Sequence, residues 1–257
     1  MKKVTDISVI ILNYNTPELV SNCINSLLKY CDSINYEIVL VDNGSSKECL
    51  ERLGELLPQD NRIKLVRAYK NLGYGAGNNL GILNSRGRLL FFINSDVIFF
   101  ENSLQILYNS YMEWQSKIKI GLLQPRLYLD LAKNSIQQTC SRVPLLEDVI
   151  FENIPILRDL FMRFYGDFRY KDWDRSSIKK VGSVCGAAFI CHRDVFYGIG
   201  KFDERFFLYF EEYDLALRLR KLGYVNIFTT DTSLVHLHNQ TPVSSLRKRI
   251  LYFQSLI

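Results

Sequence analysis

The sequence predicts an α/β protein with a mostly parallel central sheet covered by helices, and three observations predict it. Through the first hundred residues, short continuous apolar runs alternate with segments of helical period. Each apolar run stops abruptly in a polar cluster. The chain, at 257 residues and 47% hydrophobic, is large and apolar enough to bury one sizeable core.

Taken in order, ISVIILNY (7–14) has strand length and no polar face, as a strand covered on both sides requires. PELVSNCINSLLKY (17–30) carries Leu19, Val20, Cys23, Ile24, Leu27 and Leu28 at helical spacing, and Pro17 suits a first turn. EIVLVDN (37–43) is a second buried strand, and KECLERLGELL (47–57) a second helix. IKLVRAY (63–69) reads as a third strand, GAGNNLGILNS (75–85) as a turn and helix, and RLLFFINSD (88–96) as a fourth strand. A helix follows over 103–114. Residues about 128–180 lose the pattern and resemble a variable insertion or lid, with Pro144 and Pro155 inside. Order returns in VGSVCGAAFICHRDVF (181–196), a strand leading into a turn. A helix then follows, with Leu215, Leu219 and Leu222 on one face and Asp214 paired with Arg218 at i,i+4. NIFTT (226–230) and SLVHLHN (233–239) are further strand and loop.

This organisation is one domain over 1–257. Residues about 1–100 form a binding half, about 101–241 a second half, and 242–257 a tail. The net charge, 32 basic minus 27 acidic or +5, suits anionic ligands and is too small to indicate nucleic acid. The cysteines Cys23, Cys31, Cys49, Cys140, Cys185 and Cys191 form no CxxC pair and read as buried thiols of a reducing compartment. The N-terminal apolar run is too short for a signal peptide, and no run reaches the roughly 18–20 residues that span a bilayer. A cytoplasmic protein is expected, with at most a surface contact to the inner face of the membrane. The basic, then apolar tail SSLRKRILYFQSLI (244–257) is either a membrane-surface contact or a packed terminal helix.

In sheets of this kind ligands bind beyond the carboxyl ends of the strands. The clusters NYN, VDNGS, YKNLGYGAGNN and NSD stand at those ends and should converge on one edge. Asp96 there can hold a divalent cation, or serve as a turn or capping residue. Asp42 can accept hydrogen bonds from a nucleobase or ribose, or belong to an Asn43-Gly44 turn. Gly73, Gly75, Gly77 and Gly81 do not form the dinucleotide fingerprint. They read as a close-packed turn that lets backbone approach a ligand, with Asn78 and Asn79 as donors. Glu211, Glu212 and Asp214 suit a helix start, yet follow so much apolar surface that a carboxylate there is also placed to act as a general base. His236 and His238, two apart, face one side of a strand and suit a metal, a phosphate or a structural role.

These pieces, in this order, resemble the family 2 glycosyltransferases of GT-A fold, and most closely their rhamnosyltransferase-like branch. The likeness rests on SVIILNYN, EIVLVDNGS, NLGYGAGNNLGI, LLFFINSDV, GAAFICHRDVF, GKFDERFFLYFEEYDLALRLRKLGY and VHLHNQT, spread over 7–241 apart from about 128–180. The resemblance implies a parallel nucleotide-sugar-binding half and a mixed-sheet acceptor half. It also implies a nucleoside-diphosphate sugar donor, rhamnose among the candidates, a divalent cation (Mg2+ or Mn2+) and inversion at the anomeric carbon. The acceptor would be a saccharide or lipid-linked sugar of surface polysaccharide biosynthesis. By match, Asp42 contacts the nucleobase with Asn13 and Asn15 nearby, and Gly75, Asn78 and Asn94 complete the donor site. Asn94-Ser95-Asp96 stands where the family carries DxD, so Asp96 carries the metal contact, and His236 completes the metal or diphosphate site. Glu212 matches the base, and Glu211 is its alternative.

Two other readings remain. A sugar-phosphate nucleotidyltransferase would carry a Gly-rich basic loop after the first strand, where this chain has NYNTPE. A non-catalytic nucleotide-sugar-binding module would need no carboxylate at Glu212.

Overall fold

The structure is a computed structural model describing residues 5–145, 147–148, 160 and 167–237. Among the described residues the centre is a nine-stranded sheet in the order β3 (Ile63–Arg67), β2 (Tyr36–Asp42), β1 (Ile7–Asn13), β4 (Leu89–Asn94), β8 (Ala188–His192), β6 (Ile120–Tyr128), β9 (Val225–His236) and β5 (Val97–Ile98), with β7 (Lys179–Val181) pairing β9. The first half is the predicted alternation: β1 (Ile7–Asn13), α1 (Pro17–Tyr30), β2 (Tyr36–Asp42), α2 (Lys47–Leu56), β3 (Ile63–Arg67), α3 (Tyr74–Leu83) and β4 (Leu89–Asn94). β1 pairs in parallel with β2 and β4, and β2 with β3. β2 is buried along its whole length, as expected of a strand covered on both faces. Pro17 opens α1, and Val20, Cys23, Ile24 and Leu27 form its buried face. Ser46 caps α2 by accepting from the Cys49 N–H at 3.2 Å.

The register brings the polar strand ends together. Asn13 pairs with Asp42, and Leu12 with Asn94. The stretch FFINSDVIFF thus divides. Its first part is β4, Ser95 and Asp96 form a turn, and β5 (Val97–Ile98) pairs antiparallel with a different strand, β9 (Val225–His236).

The second half is mixed. α4 (Ser103–Lys117) leads into β6 (Ile120–Tyr128), then come β7 (Lys179–Val181), β8 (Ala188–His192), α5 (Arg193–Gly198), α6 (Glu211–Lys221) and β9. β8 runs antiparallel to both β4 and β6, which is where the sheet changes direction. Phe92 packs against Phe189, Phe196 and Phe202 with ring centroids 5.0, 4.9 and 5.3 Å away. This aromatic knot ties β4, β8, α5 and the loop before α6 into one core.

Several elements differ from expectation for visible reasons. β3 is an edge strand, paired only with β2 and largely exposed, so its apolar residues lie at the margin of the core. β6 crosses the second half unannounced. Pro125 argues against a central strand, but the register shifts between Pro125 and Arg126, so the irregularity absorbs the missing N–H donor. NIFTT and the SLVH that opens the second segment are one strand, β9, because β6, β7 and β5 all pair with it. Leu215 and Leu219 are buried, whereas Leu222 caps α6 and is half exposed. Arg218 does pair with Asp214, its Nε donating to Oδ2 at 2.9 Å. Among the described residues no helix is long and apolar enough to cross a membrane. His238 and the tail lie outside the described residues.

Candidate active site

At the edge where β1 and β2 end, Asn13 and Asp42 are joined side chain to side chain. Asn13 Nδ2 donates to Asp42 Oδ1 at 3.0 Å and to Ser45 Oγ at 3.2 Å. The Ser45 N–H donates to Asp42 Oδ2 at 3.3 Å. Both carboxylate oxygens are therefore held, and each keeps acceptor capacity, since a carboxylate offers about four lone-pair sites. Asn15 adopts a left-handed conformation, φ 56°. Its N–H donates to Ser45 Oγ at 2.9 Å, and its Oδ1 accepts from the Ser46 N–H at 2.9 Å. Asn43 faces the other way, donating to Gly73 O at 3.0 Å and accepting from the Leu72 N–H at 3.0 Å. It fastens the glycine segment to the end of β2.

The second cluster forms where β4 gives way to β5. Asp96 and His236 are both almost completely buried, and His236 Nε2 lies 3.2 Å from Asp96 Oδ1. Asn94 Nδ2 is 3.4 Å from the same ring nitrogen. On the other side His236 Nδ1 is 2.9 Å from Gln137 Oε1. With Nδ1–H donated to Gln137, the Nε2 lone pair faces a carboxylate. That pairing is relieved by a positive charge between or upon the two groups. Adjacent ligands of an octahedral cation, each about 2.1 Å from it, stand about 3 Å apart, so the pair suits a divalent cation. Among the described residues no group of three or more His, Cys, Asp or Glu side chains is placed to hold a metal. One carboxylate with the rest from phosphate and water is an ordinary arrangement for Mg2+, and the imidazole would add a nitrogen ligand to it.

A third cluster lies in the second half. Glu211 and Glu212 open α6, and their environments separate them. Glu212 helps line a cavity of about 350 Å³ together with Gln137, Arg169, Cys185, Tyr209 and Phe210. Its Oε1 accepts from the Gly186 N–H at 2.9 Å. Glu211 is 2% exposed and does not line the cavity, and its Oε1 finds no hydrogen-bond partner among the described residues. Burial pushes the Glu212 carboxyl above the usual range, while hydrogen bonds from its own N–H and that of Gly186, and the Arg169 charge, pull it back. Burial, and then the neighbouring Glu212, push Glu211 well up. Glu212 is therefore the carboxylate available to a ligand, and Glu211 is the one held from it. Tyr209 and Phe210, just before the helix, both have left-handed backbone, φ 73° and 71°. Such strain in bulky residues persists only where the surroundings enforce it.

The glycine segment is closely packed, as the sequence suggests, and its neighbours belong to the protein's own core. A Cβ on Gly81 would lie 2.5 Å from Ile10 Cγ2, and one on Gly77 2.9 Å from Leu12 Cδ2. One on Gly75 would lie 3.1 Å from Phe202 Cβ. These glycines let α3 pack directly on β1 and on the Phe202 loop. Asn78 donates within its own helix to Tyr74 O at 3.0 Å, and Asn79 donates to Phe202 O at 2.9 Å.

Residues not foreseen as functional include Gln137, Arg169, Tyr74 and Gly186. The first two sit in the patternless 128–180 segment. Fully buried Arg175 organises the same segment, donating to the Thr139, Tyr170 and Arg169 carbonyls. No local sequence signal marks an arginine that will be caged by main-chain carbonyls.

Residues 8–121 match the family profile described as Glycosyl transferase family 2. Glycosyltransferase GlyG of Streptococcus pneumoniae is 32% identical over 115 residues, 45% of this chain and 38% of that protein. The Low-salt glycan biosynthesis hexosyltransferase Agl10 of Haloferax volcanii is 28% identical over 247 residues, 94% of this chain and 69% of that protein. The chain thus spans little more than a third of one relative's length and about two thirds of the other's. Among solved structures, GalNAc-T7 with UDP, GalNAc and Mn2+ superposes with a TM-score of 0.67 at 16% identity, over 95% of this chain and 46% of that one. The mannosyltransferase PcManGT from Pyrobaculum calidifontis, in complex with GDP-Man and Mn2+, gives 0.60 at 16% identity, over 99% and 63%. The fold is GT-A, and residues 8–121 are similar to the glycosyltransferase family 2 profile.

Proposed function

We propose that this chain, similar at residues 8–121 to the family 2 profile, transfers a sugar from a nucleoside-diphosphate sugar to a hydroxyl of a saccharide or lipid-linked acceptor in glycan biosynthesis, with inversion at the anomeric carbon. The observation that carries the reading is the division of labour among the carboxylates. Asp42 and Asp96 stand at the end of the parallel strands, while Glu212 faces a cavity that reaches Asp96 through Gln137, the partner of His236. One ligand can lie along the strand ends while a second enters beside the base.

Asp42, with Asn13 and Asn15 shaping the turn around it, accepts hydrogen bonds from the nucleoside. Asn94 lies beside the diphosphate. Gly75 serves the donor site by seating α3 against the Phe202 loop, and Asn78 by bracing the start of α3. Asp96 and His236 hold the divalent cation, Mn2+ or Mg2+, which offsets charge on the departing nucleoside diphosphate. Two structural neighbours contain Mn2+ with UDP or GDP-Man, which supports this choice. Glu212 takes the proton of the attacking hydroxyl. Base and leaving group on opposite faces of the sugar give direct displacement through an oxocarbenium-like transition state, with no covalent enzyme intermediate. The donor sugar is a hexose or rhamnose. A lipid-linked acceptor would place the work at the cytoplasmic face of a membrane.

The test is a panel of UDP-glucose, UDP-galactose, UDP-N-acetylglucosamine, GDP-mannose and dTDP-rhamnose, each with Mn2+. One nucleotide class is expected to raise the melting temperature and to be slowly hydrolysed without acceptor. Binding without hydrolysis would favour a binding module, and no stabilisation by any donor would overturn the proposal.

A further inference from the structure

Residues 185–187 are held at every turn by groups that belong to the two halves of the candidate site. The Cys185 N–H donates to Gln124 Oε1 at 2.6 Å. The Gly186 N–H donates to Glu212 Oε1 at 2.9 Å. The Gly186 carbonyl accepts from Tyr74 Oη at 2.6 Å. The Ala187 carbonyl accepts from the Asn94 N–H at 3.0 Å. Glu212 is thereby connected through one short piece of backbone to the strand end that carries Asn94 and Asp96. The fastening depends on glycine, since a Cβ at Gly186 would lie 2.4 Å from Glu212 Oε1 and 3.2 Å from Tyr74 Oη.

Tyr74 comes from the other side. It is the first residue of α3, and it is fixed before its hydroxyl is used. Its N–H donates to Phe207 O at 2.8 Å, and its ring meets Phe202 edge to face at 5.7 Å. The preceding Gly73 is bound to Asn43, next to Asp42. A continuous series of contacts thus runs from the end of β2, through the start of α3, to Gly186, whose N–H holds the Glu212 carboxylate.

We propose that Tyr74 is a positioning residue for Glu212: its hydroxyl fixes the Gly186 carbonyl, and the same residue's N–H sets the carboxylate toward the cavity. The inference rests on the reading of Glu212 as base. Its physical content is orientation, because a displacement of about 1 Å in a reacting group costs up to about a hundredfold in rate. The N–H also favours the charged form of the carboxyl. The other titratable groups facing Glu212 are Arg169, Cys185, Tyr209 and its neighbour Glu211.

The test is Tyr74→Phe in the full chain, beside wild type and Glu212→Gln. The assay follows nucleoside diphosphate release with Mn2+ from the panel donor that wild type turns over fastest. Tyr74→Phe keeps the ring and removes only the hydroxyl. Its kcat is expected to fall about tenfold, a partial loss of the positioning term, with the donor KM within about twofold. The acid limb of its kcat profile is expected to move to higher pH, because the carboxylate loses part of its N–H support. A purely structural tyrosine would lower the melting temperature and leave that limb in place. An unchanged limb and kcat, with Glu212→Gln inactive, would overturn the positioning role alone. An active Glu212→Gln would overturn the base assignment and this inference with it. Should Tyr74→Phe prove unstable, Gly186→Ala read in the same pH profile decides. Loss of turnover with donor binding retained supports the proposal, and wild-type turnover refutes it.

Discussion

In the half of the sheet made by β3, β2, β1 and β4, the strands are parallel and their polar ends reach one edge by topology alone. Asn13 is beside Asp42 because β1 and β2 are in register, and nothing further is needed to bring them together. In the half made by β8, β6, β9, β5 and β7, directions are mixed, with β6 parallel to β9 and the other pairs antiparallel, and the cavity draws its lining from residues far apart in the chain. There, side chains do the assembling: Gln124, Gln137, Tyr74 and Arg175 each fasten a loop through a hydrogen bond to a main-chain group or another side chain. A parallel half can thus present a site by register, whereas a mixed half must tie one together.

This difference can be broken by mutation. The largest effect is expected where the halves meet, at the Asp96–His236 pair. Asp96→Ala should lower Mn2+-dependent turnover by about a thousandfold, since a cation supplies several kcal/mol of charge stabilisation. Turnover that keeps its metal dependence in this variant would remove Asp96 from the cation site. In the parallel half, Asp42→Ala should raise the donor KM by about ten- to a hundredfold, as loss of hydrogen bonds to a charged group implies. Its kcat should hardly change, because the nucleoside end is remote from the reacting bond. A fall in kcat at constant KM would show that the strand end does more than bind. Gly81→Ala tests the packing of α3 on β1. A Cβ in contact with Ile10 should cost about 1–3 kcal/mol in denaturant unfolding. Unchanged stability would mean that the helix can shift.

The subtlest expectation concerns pH. Burial raises the Glu212 carboxyl, and a base must be deprotonated to act. Activity should therefore fall as pH drops through a value above that of an ordinary glutamate. Stability should follow the opposite trend. A group whose folded value is raised binds more protons folded than unfolded between the two values, so its contribution declines as pH rises through that window. An acid limb at or below the ordinary glutamate range would contradict the environment described for Glu212.

The same contrast explains what could be read in the sequence. The first half was legible because each buried strand is a continuous apolar run, each helix has its period, and each strand end announces itself in polar letters. Asn13, Asp42, Asn94 and Asp96 can be singled out for that reason, and the register brings their strand ends together. The glycines can be singled out too, but not their neighbours, since close packing against Ile10, Leu12 and Phe202 involves partners that the local sequence does not name. β6 lies between the helix over 103–114 and the patternless segment, and its Pro125 is accommodated by a register shift beside it. Gln137, Arg169 and Arg175 lie in a segment without periodicity, and their places depend on bonds to distant residues. The pair Glu211-Glu212 could be found as a pair, but choosing between them needed three dimensions: one lines the cavity, and the other turns into the core.

That choice is also where the account is most directly tested. Glu212→Gln and Glu211→Gln should be compared in one assay, by nucleoside diphosphate release in the presence of Mn2+ together with thermal unfolding at neutral pH. Glu212→Gln is expected to lose about a hundred- to ten-thousandfold in turnover, the range general bases contribute, while still binding donor. Glu211→Gln is expected to keep turnover within a few-fold and to melt higher, because it replaces a buried acid whose Oε1 lacks a partner. Full activity in Glu212→Gln, or loss of activity confined to Glu211→Gln, would contradict the assignment.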